Sequence, residues 1–90
     1  MVAYTDDVGG EYIIRTFDSD VHDDELVWHR DKRHRIVEIL EGDDWELQFD
    51  NKTPKKLKVG KKFFIPAMTY HRIIKGKTSL VVRIQELGCP

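Results

Sequence analysis

Short apolar runs divided by turn-forming residues make up nearly the whole chain, with little at helical spacing, and this pattern leaves few folds open to it. Strands are expected over 11–17, 25–30, 34–41, 45–49, 56–59, 62–66, 70–75 and 79–85. The breaks are chemically suited to turning: Gly42-Asp43-Asp44, Asp50-Asn51, Gly60 and Gly76-Lys77 either tolerate positive φ or bond their own backbone. Within the runs, alternation sets Trp45, Leu47 and Phe49 on one face against Glu46 and Gln48 on the other, and Phe63 shares a face with Ile65. The fold class is therefore all-β, as a sandwich or a closed barrel, and closure removes exposed sheet edges.

Ninety residues, without repeat or linker, predict a single domain over 1–90, with an N-terminal strand and acidic loop in 1–24 and a barrel core in 25–85. A chain this short leaves much apolar surface uncovered unless it is stapled or associates. Its one cysteine, Cys89, reads as an inert tail thiol and can form no internal disulfide, which fits a cytoplasmic protein. No run is long enough to span a membrane, and "MVAYTDDVGG" lacks the basic start and apolar core of a signal peptide. Lysine plus arginine number 15 against 16 aspartates and glutamates, so no nucleic-acid partner is expected. The basic stretch "KTPKKLKVGKK" (52–62), with Leu57 and Val59 alternating with lysines, reads as an outer strand guarding its edge. The acidic "DSDVHDDE" (18–25) lacks the order of a calcium loop, since His22 interrupts it and no glycine follows. Trp28 and Trp45 read as core or dimer-contact aromatics.

The stretch "GKKFFIPAMTYHRIIKG" (60–76) breaks one strand at a proline and restarts the next on a histidine, without the Asn-Gly or Asp-Gly of a tight hairpin. Gly60, Pro66, Met68, His71 and Lys75 keep the full spacing of G-x5-P-x-G-x2-H-x3-N, with methionine at the second glycine and lysine at the asparagine. Upstream, "HRDKRHRIVEILEG" (29–42) parallels a pattern of H-x-H, a glutamate and a closing glycine. Gly42 then sets His29 at the first histidine, Asp31 at the second and Arg35 at the glutamate. In these two blocks the chain resembles the cupin superfamily over roughly residues 25–85.

That resemblance implies a small double-stranded β-helix, a jelly-roll barrel with a pocket among its strands. It also implies that Pro66 ends a strand at the rim, where a missing N–H does no harm, and that His71 points inward. The implied metal ligands are His29, Asp31 and His71, for one divalent Fe, Mn, Ni or Zn ion. Arg35 departs from the pattern, because a guanidinium stays protonated and repels a cation beside it. A shifted alignment would recruit His34 or Glu38 instead, against an alternation that turns both from the face of Arg35, Val37 and Ile39. Three roles remain open for Arg35: an ion pair with Asp31, a fork that receives a ligand carboxylate or phosphate beside His29 and His71, or a tip reaching water at the mouth. Thr69 shares the parity of His71 but no nucleophile-and-base motif accompanies it.

Two functions follow from the resemblance. One is a barrel that binds a small polar or anionic ligand through Arg35, His29 and His71, without catalysis. The other is a metal-dependent enzyme of dioxygenase or sugar isomerase/epimerase type. A barrel has one interior, so Ile36 and Leu40 on its far side need another cover. A twofold homodimer is expected, with Ile36, Leu40 and part of 11–17 at a contact burying more than about 1,200 Å². Light scattering at micromolar concentration should give twice the 10.6 kDa chain mass. A monomer mass, or a dimer indifferent to charged replacements at both Ile36 and Leu40, contradicts this expectation.

Overall fold

A computed structural model describes residues 4–21 and 26–87, so Cys89, His22 and the rest of the acidic stretch after Val21 lie outside the described residues. The strands are β1 (Tyr4–Val8), β2 (Ile13–Phe17), β3 (Arg35–Glu41), β4 (Glu46–Phe49), β5 (Lys55–Lys56), β6 (Lys62–Ile65), β7 (His71–Ile74) and β8 (Leu80–Glu86). They form two antiparallel sheets, ordered β1-β2-β8-β3-β6 and β5-β4-β7, which make a small jelly-roll barrel. Among the described residues no helix is long and apolar enough to cross a membrane.

Side-chain alternation gives the larger sheet its inward face. In β8, Leu80, Val82 and Ile84 are buried while Val81 and Arg83 are half-exposed. In register beside them stand Phe17, Arg15 and Ile13 of β2, and Ile39 and Val37 of β3 meet Val82 and Ile84. Leu47 and Trp45 close the core from the other side. Trp45 is fully buried, donates its indole N–H to the Thr78 carbonyl at 2.6 Å and packs against Phe17 at 6.0 Å between ring centres. Gly76 makes room for it, because a Cβ there would come within 2.6 Å of the Trp45 amide nitrogen.

Three elements depart from the sequence expectation. The described part of 25–30 is no strand: only His29 pairs, through a single bridge to His71, because the charged run Arg30-Asp31-Lys32-Arg33 offers no alternating face to continue it. Trp28 is accordingly 40% exposed, with the Arg72 guanidinium 4.9 Å from its ring, and is not core. The strand expected at 56–59 ends at Lys56, where the chain turns, so Leu57 is buried while Val59 is exposed.

β1 was not expected at all, because "YTDDV" is acidic and exposed along its length. Its support comes from the neighbouring strand. Arg15 donates through Nε and Nη2 to the two carboxylate oxygens of Asp6 at 2.8 and 3.0 Å, and its guanidinium lies 3.8 Å from the Tyr4 ring centre. On the barrel's far side, Ile36 and Leu40 are half-buried, and Ile36 is in register with Phe64, which is 53% exposed.

The Arg15 hydrogen bonds hold the Asp6 carboxyl below its ordinary value, against burial. A depressed folded-state value stabilises the fold above the unfolded carboxyl pKa of about 3.9, and that contribution is lost as pH falls through the folded value. Asp6→Asn should therefore lower stability near pH 7 by about 0.5–1 kcal/mol, as for a partly exposed pair, and flatten the acid limb below about pH 4. Urea midpoints measured across pH check both effects.

Candidate metal and ligand site

The site is assembled by backbone hydrogen bonds between two segments that lie outside the long strands. His29 and His71 exchange amide-to-carbonyl bonds in both directions, at 3.0 and 2.9 Å. Asp31 accepts from the Met68 amide through its backbone carbonyl at 2.7 Å, and the His34 ring accepts from the Ala67 amide at 2.9 Å. The turn after β6 is thus stapled to the segment before β3. Pro66 follows the last β6 residue and gives up no needed donor. Met68 adopts φ +62°, a left-handed conformation that favours glycine and accounts for the glycine in the sequence pattern it departs from.

This docking brings His29, Asp31 and His71 together, with one candidate ligand atom from each lying within 4.8 Å of the others. The two imidazole rings stand 4.3 Å apart, edge to face. Each ring has its Nδ1 against a backbone carbonyl two residues back: His29 on Val27 at 3.0 Å and His71 on Thr69 at 2.8 Å. A carbonyl accepts only, so each Nδ1 carries the hydrogen and each neutral ring presents a lone pair at Nε2. Both Nε2 atoms lie beside Asp31. His71 Nε2 is 3.3 Å from Oδ2, and His29 Nε2 is 3.9 Å from Oδ1.

Asp31 Oδ2 is buried and has no hydrogen-bond partner among the described residues. His71 Nε2 lies 3.3 Å from it without hydrogen-bond geometry. The Asp31 carboxyl is held below its usual range against the opposing effect of burial, by His71 when that ring is protonated and by the Arg35 guanidinium at Oδ1. An unpaired buried carboxylate oxygen, with two imidazole nitrogens beside the same carboxylate, is a costly arrangement for the protein alone and a suitable one for a cation. Around a tetrahedral ion with bonds of about 2.0–2.2 Å the donor atoms stand about 3.4 Å apart, so binding asks the widest pair, now up to 4.8 Å apart, to close by more than about 1 Å. His29, whose side chain is 48% exposed, has room to make it.

Arg35 faces the same cavity, and its Nη1 is 3.3 Å from Asp31 Oδ1. Its closer partner is Glu86, whose Oε2 accepts from Nη2 at 2.9 Å and Nε at 3.2 Å. Glu86 was not singled out from sequence, because it meets Arg35 across the β3–β8 ladder, a register that the isolated chain does not reveal. His34 and Glu38 do point away from the site: His34 stacks on Phe64, and Glu38 pairs with Arg83.

The cavity itself lies between the sheets and has a volume of about 320 Å³. His29, Asp31, Arg35 and His71 line it together with Arg15 and Tyr4, and most of the remaining wall is aliphatic. Arg15 was missed in the sequence, although alternation in "EYIIRTF" sets a charge between the inward Ile13 and Phe17.

No protein-family model matches the chain, and no curated protein matches it by sequence. Solved structures do. A cupin domain from Bordetella pertussis superposes with a TM-score of 0.65 at 18% identity, covering 94% of this chain and 92% of that one. The DMSP lyase DddQ from Ruegeria pomeroyi superposes with a TM-score of 0.73 at 17% identity, covering 86% of this chain. FeII HppE in complex with substrate superposes with a TM-score of 0.68 at 16% identity, covering 93% of this chain. The chain spans 37% of the lyase and 52% of HppE, so each of those is a longer protein carrying this barrel. At such identities the likeness is one of fold.

Arg35 bridges Asp31 and Glu86, with its side chain 16% exposed against 13% and 36% for the two carboxylates. Arg35→Ala should leave Asp31 charged and poorly compensated, at a cost of about 1–3 kcal/mol, below the range for a fully dry pair because Glu86 keeps contact with water. Chemical denaturation checks the magnitude. A change near zero would mean that Arg35 is solvated and holds neither carboxylate.

Proposed function

The chain has the cupin fold, and within its barrel we propose a metal centre formed by His29, Asp31 and His71 that binds a small polar or anionic molecule in the adjoining cavity. The observation that carries the reading is the gathering of the His29 and His71 Nε2 atoms around the Asp31 carboxylate, whose buried Oδ2 has no hydrogen-bond donor among the described residues. Two imidazoles and one carboxylate suit Fe, Mn, Ni or Zn. Three protein ligands leave coordination positions open, and an ion held there can act as a Lewis acid toward a bound oxygen atom. The backbone carbonyls of Val27 and Thr69 fix the tautomers and aim the rings. Arg35 keeps Oδ1 of Asp31 in place while its own charge is offset by Glu86.

Arg35 as a fork for the ligand has less support, because Nε, Nη1 and Nη2 are all engaged by Glu86 and Asp31. Catalysis of dioxygenase or isomerase/epimerase type draws support only from the likeness to FeII HppE and the DMSP lyase, which is one of fold. The homodimer belongs to the same proposal, supported by exposed Phe64 beside Ile36 on the barrel's outer face.

Elemental analysis of protein expressed with ample transition metal tests the metal centre. About one ion per chain is expected in the wild type, and its loss is expected in His71→Ala and in His29→Ala, the latter at an exposed position where the fold is retained. Wild-type protein without bound metal, or metal retained by both variants, contradicts the proposal.

A further inference from the structure

We infer that the cavity takes a small monoanion with an apolar body, and that Arg15 is the residue receiving its charge. This rests on the metal reading above and names the ligand class for the same cavity. Arg15 lies on the inward row of β2, and its side chain is only 13% exposed. Stacking on Tyr4 and the paired hydrogen bonds to Asp6 hold its guanidinium plane rigidly. Those bonds use Nε and Nη2 and leave Nη1 without a hydrogen-bond partner among the described residues. Arg35, the other guanidinium lining the cavity, stands between two carboxylates, donating to Glu86 through Nε and Nη2 with Nη1 3.3 Å from Asp31 Oδ1, whereas Arg15 has Asp6 alone within ion-pair distance among the described residues. The difference assigns the incoming acceptor to Arg15, since a charged side chain lining a largely apolar cavity is stabilised by any anion that reaches it.

Charge decides when that anion can enter. Arg15 and Arg35 face Asp6, Asp31 and Glu86, so with neutral imidazoles the cluster carries one net negative charge. A divalent cation on His29, Asp31 and His71 reverses this to one net positive charge, which a monoanion neutralises. Leu47, Ile65, Ile73 and Val82 are among the cavity's apolar lining. A cavity of about 320 Å³ sits at the small end for ligand sites, so the apolar body is short.

Calorimetric titration with Zn²⁺, and then with sodium hexanoate on the zinc-loaded protein, tests the assignment. Hexanoate should bind the zinc-loaded wild type, and about ten- to a hundredfold more weakly both the zinc-free protein and zinc-loaded Arg15→Gln, whose Zn²⁺ affinity should be no weaker than that of the wild type. Hexan-1-ol, with the same body and no charge, should bind no better than it does to Arg15→Gln. Arg15→Lys keeps the charge facing Asp6 and should fall between wild type and Arg15→Gln, which gives the test a second folded variant. A wild type that takes up no Zn²⁺ overturns the metal reading. A wild type that takes up Zn²⁺ but binds hexanoate no better than both Arg15 variants, or not at all, overturns the role of Arg15 and leaves the metal site standing.

Discussion

The reciprocal amide-to-carbonyl bonds between His29 and His71 are the contact on which the site depends. They are a single bridge rather than a ladder, yet they join a segment that forms no strand to the start of β7. Without them His29 and Asp31 would sit on an unpaired stretch more than thirty residues away in sequence from His71. The Asp31 carbonyl, bonded to the Met68 amide, and the His34 ring, bonded to the Ala67 amide, secure the same junction from the following residues. Backbone hydrogen bonds therefore fix where the three side chains stand, and the side chains need supply little of their own ordering.

Asp31 carries two incompatible demands, and its two oxygens divide them. Oδ1 faces the Arg35 guanidinium, which in turn leans on Glu86. Oδ2 is turned toward His71 and left without a donor. Arginine at the place of a carboxylate ligand would oppose a cation strongly if it stood alone. Glu86 offsets that charge from the far side, and the guanidinium becomes a brace for a ligand carboxylate rather than a competitor for it. The same logic operates on β2, where Asp6 offsets the charge of Arg15, which also lines the cavity.

The fold was legible because period-two alternation, turn chemistry and the spacing from Gly60 to His71 all act locally along the chain. That spacing also carried His71 and the inward aim of its ring, and the upstream pattern carried His29 and Asp31. What sequence could not show were partners set by register. Glu86 meets Arg35 only because β8 lies between β2 and β3, and Asp6 meets Arg15 only because β1 pairs with β2. β1 itself has an acidic sequence that no alternation rule favours, and it is held by those cross-strand contacts. Residues 26–30 failed in the opposite sense: Val27 and Trp28 look strand-like, but only one bridge forms and both stay exposed. Met68 showed how a residue can keep a glycine's backbone conformation without being glycine.

The central claim is that both imidazoles carry their hydrogen on Nδ1 and direct an Nε2 lone pair at Asp31. Nitrogen-15 spectra of the imidazole side chains report each tautomer directly, and Zn²⁺ can be added to the same sample. The account predicts the Nδ1–H tautomer for His29 and His71 at neutral pH, with Zn²⁺ shifting the Nε2 resonances of these two rings while His34 stays unchanged. Nε2–H tautomers, or rings that do not respond to Zn²⁺, would contradict it.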